Sequence, residues 1–226
     1  MLADIKRYKL TYAIIGLNLL VYVFSAFFSQ SFIDMDLKIL VDMGALYGPY
    51  TVQQEQWWRL GTAMFLHSGM THLLMNMFSL YLIGRSAEMY FDMKSYISIY
   101  LFSGLIGGLV SLYVHPASVG VGASGAIFGI FGALAGFFLA HKEHMETHTK
   151  AFMKDFSIII GINLVIGFSI ESVDVSAHIG GLVIGLVGGF LLSKNIKFLT
   201  LYNSAMLLLG LVLATYLFTQ YAQVTF

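Results

Sequence analysis

Long apolar runs separated by short polar breaks dominate the hydrophobic pattern of this chain. An α-helix rises about 1.5 Å per residue, so about 20 apolar residues cross a hydrocarbon layer of about 30 Å. The runs and their breaks therefore predict seven membrane-spanning helices. Their predicted bounds are residues 10–29, 69–88, 95–114, 122–140, 155–171, 176–193 and 199–220.

Composition supports the same fold class. Of the 226 residues, 58% are hydrophobic and only 11% are charged, which is more apolar surface than a soluble domain of this size can bury. We expect an all-α, polytopic membrane helical bundle that forms a single transmembrane domain over residues 1–226. The formal net charge of zero gives no reason to expect a nucleic-acid partner, and the absence of cysteine excludes disulfides and a thiol nucleophile.

The distribution of lysine and arginine predicts how the chain lies in its membrane. With the N-terminus in the cytoplasm, only Lys38 and Arg59 fall on the outer side, which satisfies the positive-inside rule and places the C-terminus outside. The first apolar run has basic residues before it but no convincing cleavage site after it, so it is predicted to be an uncleaved anchor. A transit-like presequence is missing from the sequence, which favours a cell membrane over a mitochondrial one.

The longest connection, from Ser29 to about Ser68, is predicted to lie outside and is rich in aromatic and apolar residues. In its Gln56-Trp57-Trp58-Arg59 motif, the two indoles are typical of a membrane-surface anchor. The guanidinium of Arg59 is predicted to hold carbonyl groups of the loop together.

Small residues recur at about four-residue spacing on two of the predicted spans. Such residues let membrane helices approach closely, so the fourth and sixth spans are predicted to be neighbours. The two sets are Gly125, Gly129, Gly132 and Gly136, and Ala177, Gly181, Gly185 and Gly188.

Five polar residues lie within or next to spans where lipid would penalise them: His67, His72, Asn76, Ser124 and His178. The second, fourth and sixth spans run in the same direction, and His72, Ser124 and His178 each lie near the start of one of them. We therefore expect these three side chains at one depth, just below the outer surface. The alternative is that each is a packing or interfacial residue.

The chemistry of these side chains suits a hydrolase. Ser124 lies between Gly122 and Gly125, which leave its oxygen approachable, and a neutral imidazole such as His178 is the minimal activator of a serine nucleophile. His72 and Asn76, four residues apart, lie on one helical face and could donate to a single oxyanion.

Several motifs together resemble the rhomboid family of intramembrane serine proteases. They are Trp58-Arg59, His67, His72-x-x-x-Asn76, Gly122-Ala123-Ser124-Gly125 and Ala177-His178-x-x-Gly181-x-x-x-Gly185. The resemblance implies a rhomboid core at about residues 10–194, with an extra C-terminal transmembrane helix at 199–220. It also implies a dyad of Ser124 and His178, with an oxyanion site built from the Ser124 amide, His72 and Asn76, and no cofactor.

Phe128 departs from the family pattern, because several relatives have tyrosine at this position, four residues after the serine. Phenylalanine can still pack against the ring of His178 but cannot form a hydrogen bond. The substrates implied are transmembrane proteins, cut near the outer end of a membrane helix. A non-catalytic, rhomboid-like binder of transmembrane helices is the alternative.

Other ionisable residues are predicted to be structural. Asp174 is either a third member of the catalytic group, orienting His178, or a solvated loop carboxylate, which is the favoured interpretation. Glu88 is expected to fix a helix end or a neighbouring loop. The set His141, His144 and His148 contains an i, i+4 pair, but lacks the order of a His-Glu-x-x-His zinc motif, so no metal site is predicted there.

Overall fold

A computed structural model describes residues 2–146, 158 and 173–222, and in these the chain forms a bundle of long helices with two very short strands. The helices are α1 Leu2–Arg7, α2 Lys9–Ser29, α3 Leu37–Asp42, α4 Arg59–Thr62, α5 Met70–Ala87, α6 Met93–Val114, α7 Ser124–His141, α8 Val175–Lys194 and α9 Phe198–Tyr221. The strands are β1 Leu46–Tyr47 and β2 Val119–Gly120. Single turns of other helical types occupy Pro49–Gln53, Ala63–Phe65 and Lys142–His144.

The long helices confirm the predicted fold class. Six of the seven predicted spans correspond to α2, α5, α6, α7, α8 and α9, and the fifth, 155–171, lies outside the described residues. Five of these helices are long and apolar enough to cross a membrane, whereas α5 has the length but carries His72, Asn76 and Arg85. The chain is therefore an integral membrane protein with a polytopic helical bundle.

Helices α7 and α8 pack with their backbones in contact. A Cβ added to Gly181 would collide with the carbonyl oxygen of Gly125, and one added to Gly185 would collide with that of Gly129. Residue numbers rise together on both helices, so the two helices run parallel. The predicted pairing of these two spans is confirmed, because only glycine leaves room for such an approach.

One residue of the predicted glycine face was assigned wrongly. Gly188 faces the side chains of Ile99 and Tyr202, and it is Gly189 that lies against the backbone of Ala133 on α7. The contact continues at every fourth residue of α8, along the ridge that i, i+4 neighbours form on a helix.

Residues 30–69, which connect α2 to α5 and are called the 30–69 loop below, are a folded part of the molecule. Arg59, only 5% exposed, donates from Nη1 to the carbonyls of Val41 (2.6 Å) and Ala45 (3.0 Å). Its guanidinium also lies over the ring of Trp58, which is 53% exposed. The prediction that Arg59 holds loop carbonyls is thereby confirmed, and the exposed indole is placed as an interfacial anchor would be.

Glu88, at the C-terminal end of α5, connects this helix to α2. Its carboxylate accepts hydrogen bonds from the amides of Leu10 (3.1 Å) and Thr11 (2.7 Å) in the first turn of α2. The residue before α2, Tyr8, provides no side-chain cap, so Glu88 satisfies amides that the helix itself leaves unpaired. Its role is structural, as the sequence predicts.

Helix α9 is attached to the rest of the protein at its C-terminal end. The hydroxyl of Tyr221 donates to the carbonyl of Leu112 on α6 (2.7 Å), and the side-chain amide of Gln53 donates to the Tyr221 carbonyl (3.1 Å). These bonds fix α9 to both α6 and the 30–69 loop.

Candidate active site

Ser124 is the first residue of α7 and is partly exposed. The first amides of a helix have no partner within it, so the Ser124 N–H is available to a group that binds beside it. The preceding segment is fixed by a hydrogen bond from the amide of Gly122 to the carbonyl of Ala63 (2.9 Å). Strand β2, which leads into this segment, pairs with β1 of the 30–69 loop in the register Leu46 with Gly120. The loop therefore positions the backbone that carries the serine.

Gly122 separates the serine from the first candidate oxyanion donor. It has φ of +125°, and a Cβ at this position would lie 2.9 Å from Nε2 of His72 and 3.8 Å from Oγ of Ser124. The hydroxyl and the imidazole nitrogen thus face one small space that the missing side chain leaves open.

His178, 7% exposed, lies against the same face of α7 as Ser124. Its ring stacks on Phe128 with centroids 4.3 Å apart and planes inclined by 13°. Phe128 follows Ser124 by one helical turn, so the stacked imidazole lies next to the start of α7. The predicted packing of Phe128 on His178 is confirmed.

Stacking, rather than hydrogen bonding, holds the His178 ring. Within residues 2–146 and 173–222, no hydrogen bond joins Ser124 to His178, and Nδ1 of His178 is buried with no partner. Hydrogen bonds of catalytic groups are often formed only when substrate is bound. The geometry is therefore compatible with Ser124 and His178 as a nucleophile and its base, and also with both as packing residues.

His72 and Asn76 both lie near the start of α5, as predicted. Nδ1 of His72 forms a hydrogen bond with Oγ of Ser68 at 3.1 Å, which leaves Nε2 directed towards Gly122. The buried amide of Asn76 donates one N–H to the carbonyl of His72 (2.9 Å) and keeps a second hydrogen for another acceptor. Ser68 was missed by the sequence analysis, although its spacing of four from His72 is a usable signal.

His67 is completely buried, and its ring meets that of His72 edge to face at 5.1 Å. Neither ring nitrogen has a hydrogen-bond partner of normal geometry among the described residues. Burial, together with the charge that His72 would carry, lowers the pKa of His67 to about 3, and an interaction with the backbone of Phe65 opposes this shift only in part. His67 is therefore a neutral packing partner of His72.

Asp174 is the N-cap of α8 rather than a solvated loop carboxylate. It accepts hydrogen bonds from the Ser176 hydroxyl (2.5 Å) and the Ala177 amide (3.1 Å). Burial favours a raised pKa for the Asp174 carboxyl, but hydrogen bonds from Ser111, Ser176 and the Ala177 amide hold that pKa below its ordinary value. In the described part of the chain its carboxylate forms no hydrogen bond with His178.

A cavity of about 60 Å³ lies beside Ser124, with Ser111 and Asp174 also in its lining. Gly104, Gly108 and Met64 form part of its apolar wall. One water needs about 10–15 Å³ of such space, so the cavity has room for water.

The histidine-rich segment lies far along α7 from Ser124. His141 donates from Nδ1 to the carbonyl of Phe137 at 2.9 Å and stacks on the Phe137 ring. His148 lies outside the described residues. No group of three potential metal ligands occurs among the residues that the structure describes.

Sequence comparison places these features in a family. The Rhomboid domain model matches residues 54–195. RHOMBOID-like protein 6, mitochondrial, of Arabidopsis thaliana is 40% identical over 161 residues, which is 71% of this chain and 52% of that protein. Rhomboid protease GluP of Bacillus subtilis (strain 168) is 34% identical over 180 residues, 80% of this chain and 33% of that protein.

A third relative is closer in length. Putative rhomboid protease YdcA, also of Bacillus subtilis, is 35% identical over 144 residues, 63% of this chain and 68% of that protein. By contrast, the chain covers only 33% to 60% of the length of GluP and of RHOMBOID-like proteins 6 and 7. The family match covers more than half of the chain, including His67, His72, Asn76, Ser124 and His178. The chain belongs to the rhomboid family.

Proposed function

We propose that this chain is an intramembrane serine endopeptidase that cleaves transmembrane protein substrates near the outer end of a membrane helix. The observation that carries the proposal is the stacking of His178 on Phe128, one turn beyond Ser124, with Nε2 of His72 facing the same space as the Ser124 hydroxyl. The names of two relatives, Rhomboid protease GluP and Putative rhomboid protease YdcA, support the same reaction class.

In the first half of the reaction, Oγ of Ser124 attacks the carbonyl carbon of the substrate peptide. The imidazole of His178 accepts the hydroxyl proton, and the carbonyl oxygen becomes an oxyanion. As the tetrahedral intermediate collapses, the C–N bond breaks and His178 returns the proton to the leaving amine. The result is an acyl ester on Ser124.

In the second half, His178 takes a proton from a water molecule, which attacks the ester carbon. Collapse of this second intermediate releases the carboxylic acid and restores the Ser124 hydroxyl. The cavity beside Ser124, whose lining includes the polar side chains of Ser111 and Asp174, has room to hold such water.

Three donors are proposed to stabilise the oxyanion. They are the N–H of Ser124 at the start of α7, the Nε2 side of His72 and the second N–H of Asn76. Donors held in place by the fold stabilise the developing charge without reorganising during the reaction, and the loss of one such donor typically lowers the rate by about 10²- to 10³-fold.

The substrate must expose its backbone before it can react. Carbonyl groups of a membrane helix are already hydrogen-bonded within that helix, so the scissile region has to unwind, and small or helix-weakening residues lower the cost. We place the site at the outer face of a cell membrane, with a cytoplasmic N-terminus, because of the distribution of lysine and arginine along the sequence.

Replacement of the nucleophile tests the proposal. Purified wild-type protein in lipid vesicles is expected to cleave a panel of reconstituted transmembrane substrates, and Ser124→Ala is expected to leave no cleavage above background. Product masses locate the cut. A fluorophosphonate probe is expected to label the wild type and not Ser124→Ala. Equal cleavage by both proteins would contradict the assignment of Ser124, whereas tight substrate binding without cleavage or labelling would favour a non-catalytic binder.

A further inference from the structure

The hydrogen bond between Ser68 and Nδ1 of His72 bears on which nitrogen of His72 carries its proton. A neutral imidazole has one N–H and one bare nitrogen, and the partner of one nitrogen determines the state of the other. Oγ of Ser68 lies 3.1 Å from Nδ1 of His72, and Nε2 is on the opposite side of the ring, next to Gly122 and Ser124. Whether Nδ1 is protonated therefore determines whether Nε2 presents an N–H donor or a lone pair to the proposed oxyanion site.

The backbone around Ser68 is fixed, so this contact is part of the fold. The carbonyl of Ser68 accepts from the amide of Met35 (2.8 Å), and the amide of Met70 donates to the carbonyl of Ile33 (2.8 Å). An isolated bridge also pairs Asp34 with Gly69. Residues 33–35 of the 30–69 loop thus fix the turn just before α5. This turn positions the Ser68 hydroxyl next to Nδ1 of His72.

A serine hydroxyl can donate to a bare nitrogen or accept from an N–H, so the hydroxyl alone allows both tautomers. Next to Ser124, however, a bare Nε2 would direct a lone pair at the oxyanion and repel it. An N–H at Nε2 would donate to that oxygen, and Nδ1 would then need a donor, which the Ser68 hydroxyl supplies.

The neighbouring His67 cannot provide this donor. Its ring meets the ring of His72 edge to face, and neither of its nitrogens is hydrogen-bonded within the described residues. Asn76 bonds to the backbone carbonyl of His72 rather than to its ring. Among the described side chains, Ser68 is the one that is hydrogen-bonded to the imidazole of His72.

We propose that Ser68 is a positioning residue that donates its hydroxyl proton to Nδ1 of His72 and so keeps the proton of His72 on Nε2, facing the oxyanion. The inference depends on the proposed function, because the oxyanion is what selects between the two tautomers, but the position of the proton can be measured whether or not the protein cleaves a substrate. It also extends the oxyanion site to a residue of the turn that the 30–69 loop holds.

The tautomer can be measured directly. In protein labelled with ¹⁵N-histidine, the imidazole nitrogen shifts of His72, assigned by their loss in His72→Asn, are expected to show a protonated Nε2 and a bare, hydrogen-bonded Nδ1. Ser68→Thr keeps the hydroxyl and is expected to keep this pattern. Ser68→Val has nearly the shape of threonine without the hydroxyl and is expected to give a mixture of tautomers. A protonated Nδ1 in the wild type, or identical spectra for the two variants, would overturn the inference.

Kinetics on the same proteins provide the second readout. Ser68→Val is expected to lower kcat by about 10-fold with KM little changed, because the donor acts in the transition state, and Ser68→Thr is expected to restore the rate. Ser86→Ala serves as control, because among the described residues the Ser86 hydroxyl is hydrogen-bonded only to the Leu82 carbonyl, near the other end of α5. A wild type without Ser124-dependent cleavage would contradict the proposed function, and the spectra would still decide the position of the proton.

Discussion

The space between the serine and His72 exists only because residue 122 has no side chain. A Cβ on Gly122 would lie 2.9 Å from Nε2 and Cε1 of the imidazole, and φ of +125° strains any residue except glycine. Position 122 thus requires glycine for two reasons: the positive φ and the absence of a side chain.

Gly122→Ala is therefore expected to lower cleavage by at least about 100-fold, the cost of a lost oxyanion donor, because the methyl group displaces His72. Gly120→Ala is the matched control, since a Cβ there would meet its nearest neighbour, Leu46, at an ordinary 3.5 Å. Initial rates on one transmembrane substrate provide the measurement. Similar losses in both variants would indicate a general disturbance of β2 instead.

His67 makes the stability of the protein depend on pH. Burial lowers its pKa to about 3, whereas a histidine in the unfolded chain has a pKa near 6.5. Between these two pH values, His67 is therefore protonated in the unfolded chain and neutral in the folded protein. The stability that neutral His67 provides is present above about pH 6.5 and is lost progressively as the pH falls towards 3.

Between pH 7.5 and 5, this effect is expected to remove about 2 kcal/mol of folding free energy, because the slope approaches 1.36 kcal/mol per pH unit only below pH 6.5. The midpoint of thermal unfolding in detergent should fall over this range, and it should fall less in His67→Asn, which cannot titrate. Equal slopes of the midpoint against pH in the two proteins would show that His67 does not set this dependence.

Packing between α7 and α8 places His178, the proposed base, next to the start of α7, where Ser124, the proposed nucleophile, lies. Because Gly185 lies against the carbonyl oxygen of Gly129, even one methyl group has to push the helices apart. Overpacking of this kind typically costs about 1–3 kcal/mol, and it would also move His178 away from Ser124.

Gly185→Ala is expected to lower the unfolding midpoint and the cleavage rate together. Gly210 on α9 has nothing within 4 Å of an added Cβ, so Gly210→Ala is the control and should be neutral or slightly stabilising. Unfolding midpoints and initial rates of the two variants test this difference. An unchanged midpoint in Gly185→Ala would mean that the two backbones have room to separate.

The helices were predictable because their signals are local. Runs of apolar residues mark α2 and α6, and small residues at four-residue spacing identify α7 and α8 as neighbours. The error at Gly188 arose because spacings of three and four both look like one helical face, and only the crossing of the two helices selects the fourfold ridge on which Gly189 lies.

The connections that complete the candidate site were not predictable in the same way. β1 and β2 have two residues each, too few to show an alternating pattern, and residues 48–118 separate them along the chain. The bonds from Gly122 to Ala63 and from Met35 to Ser68 likewise join positions whose proximity no local pattern encodes. The residue types of the site were visible in the sequence, but the loop that positions them was not.

The orientation of the bundle in its membrane can be tested with cysteine chemistry. The natural sequence contains no cysteine, so one introduced thiol is the only target of a maleimide. Lys38 in the 30–69 loop and Glu143 after α7 are both exposed. In intact cells, a membrane-impermeant maleimide is expected to label Lys38→Cys and to spare Glu143→Cys until the membrane is opened. The reverse pattern would place the candidate site at the cytoplasmic face.

The contact of Gly181, Gly185 and Gly189 with the main chain of α7 also restricts how a substrate can arrive. Side chains can rotate out of the way of an incoming polypeptide, but main-chain atoms that already touch have no such freedom. If α7 and α8 separated to admit a substrate, Ser124 would move away from His178, and the proposed reaction needs both residues together. Under the proposed mechanism, a substrate must therefore enter from another side of the bundle and leave the contact between α7 and α8 closed during the reaction.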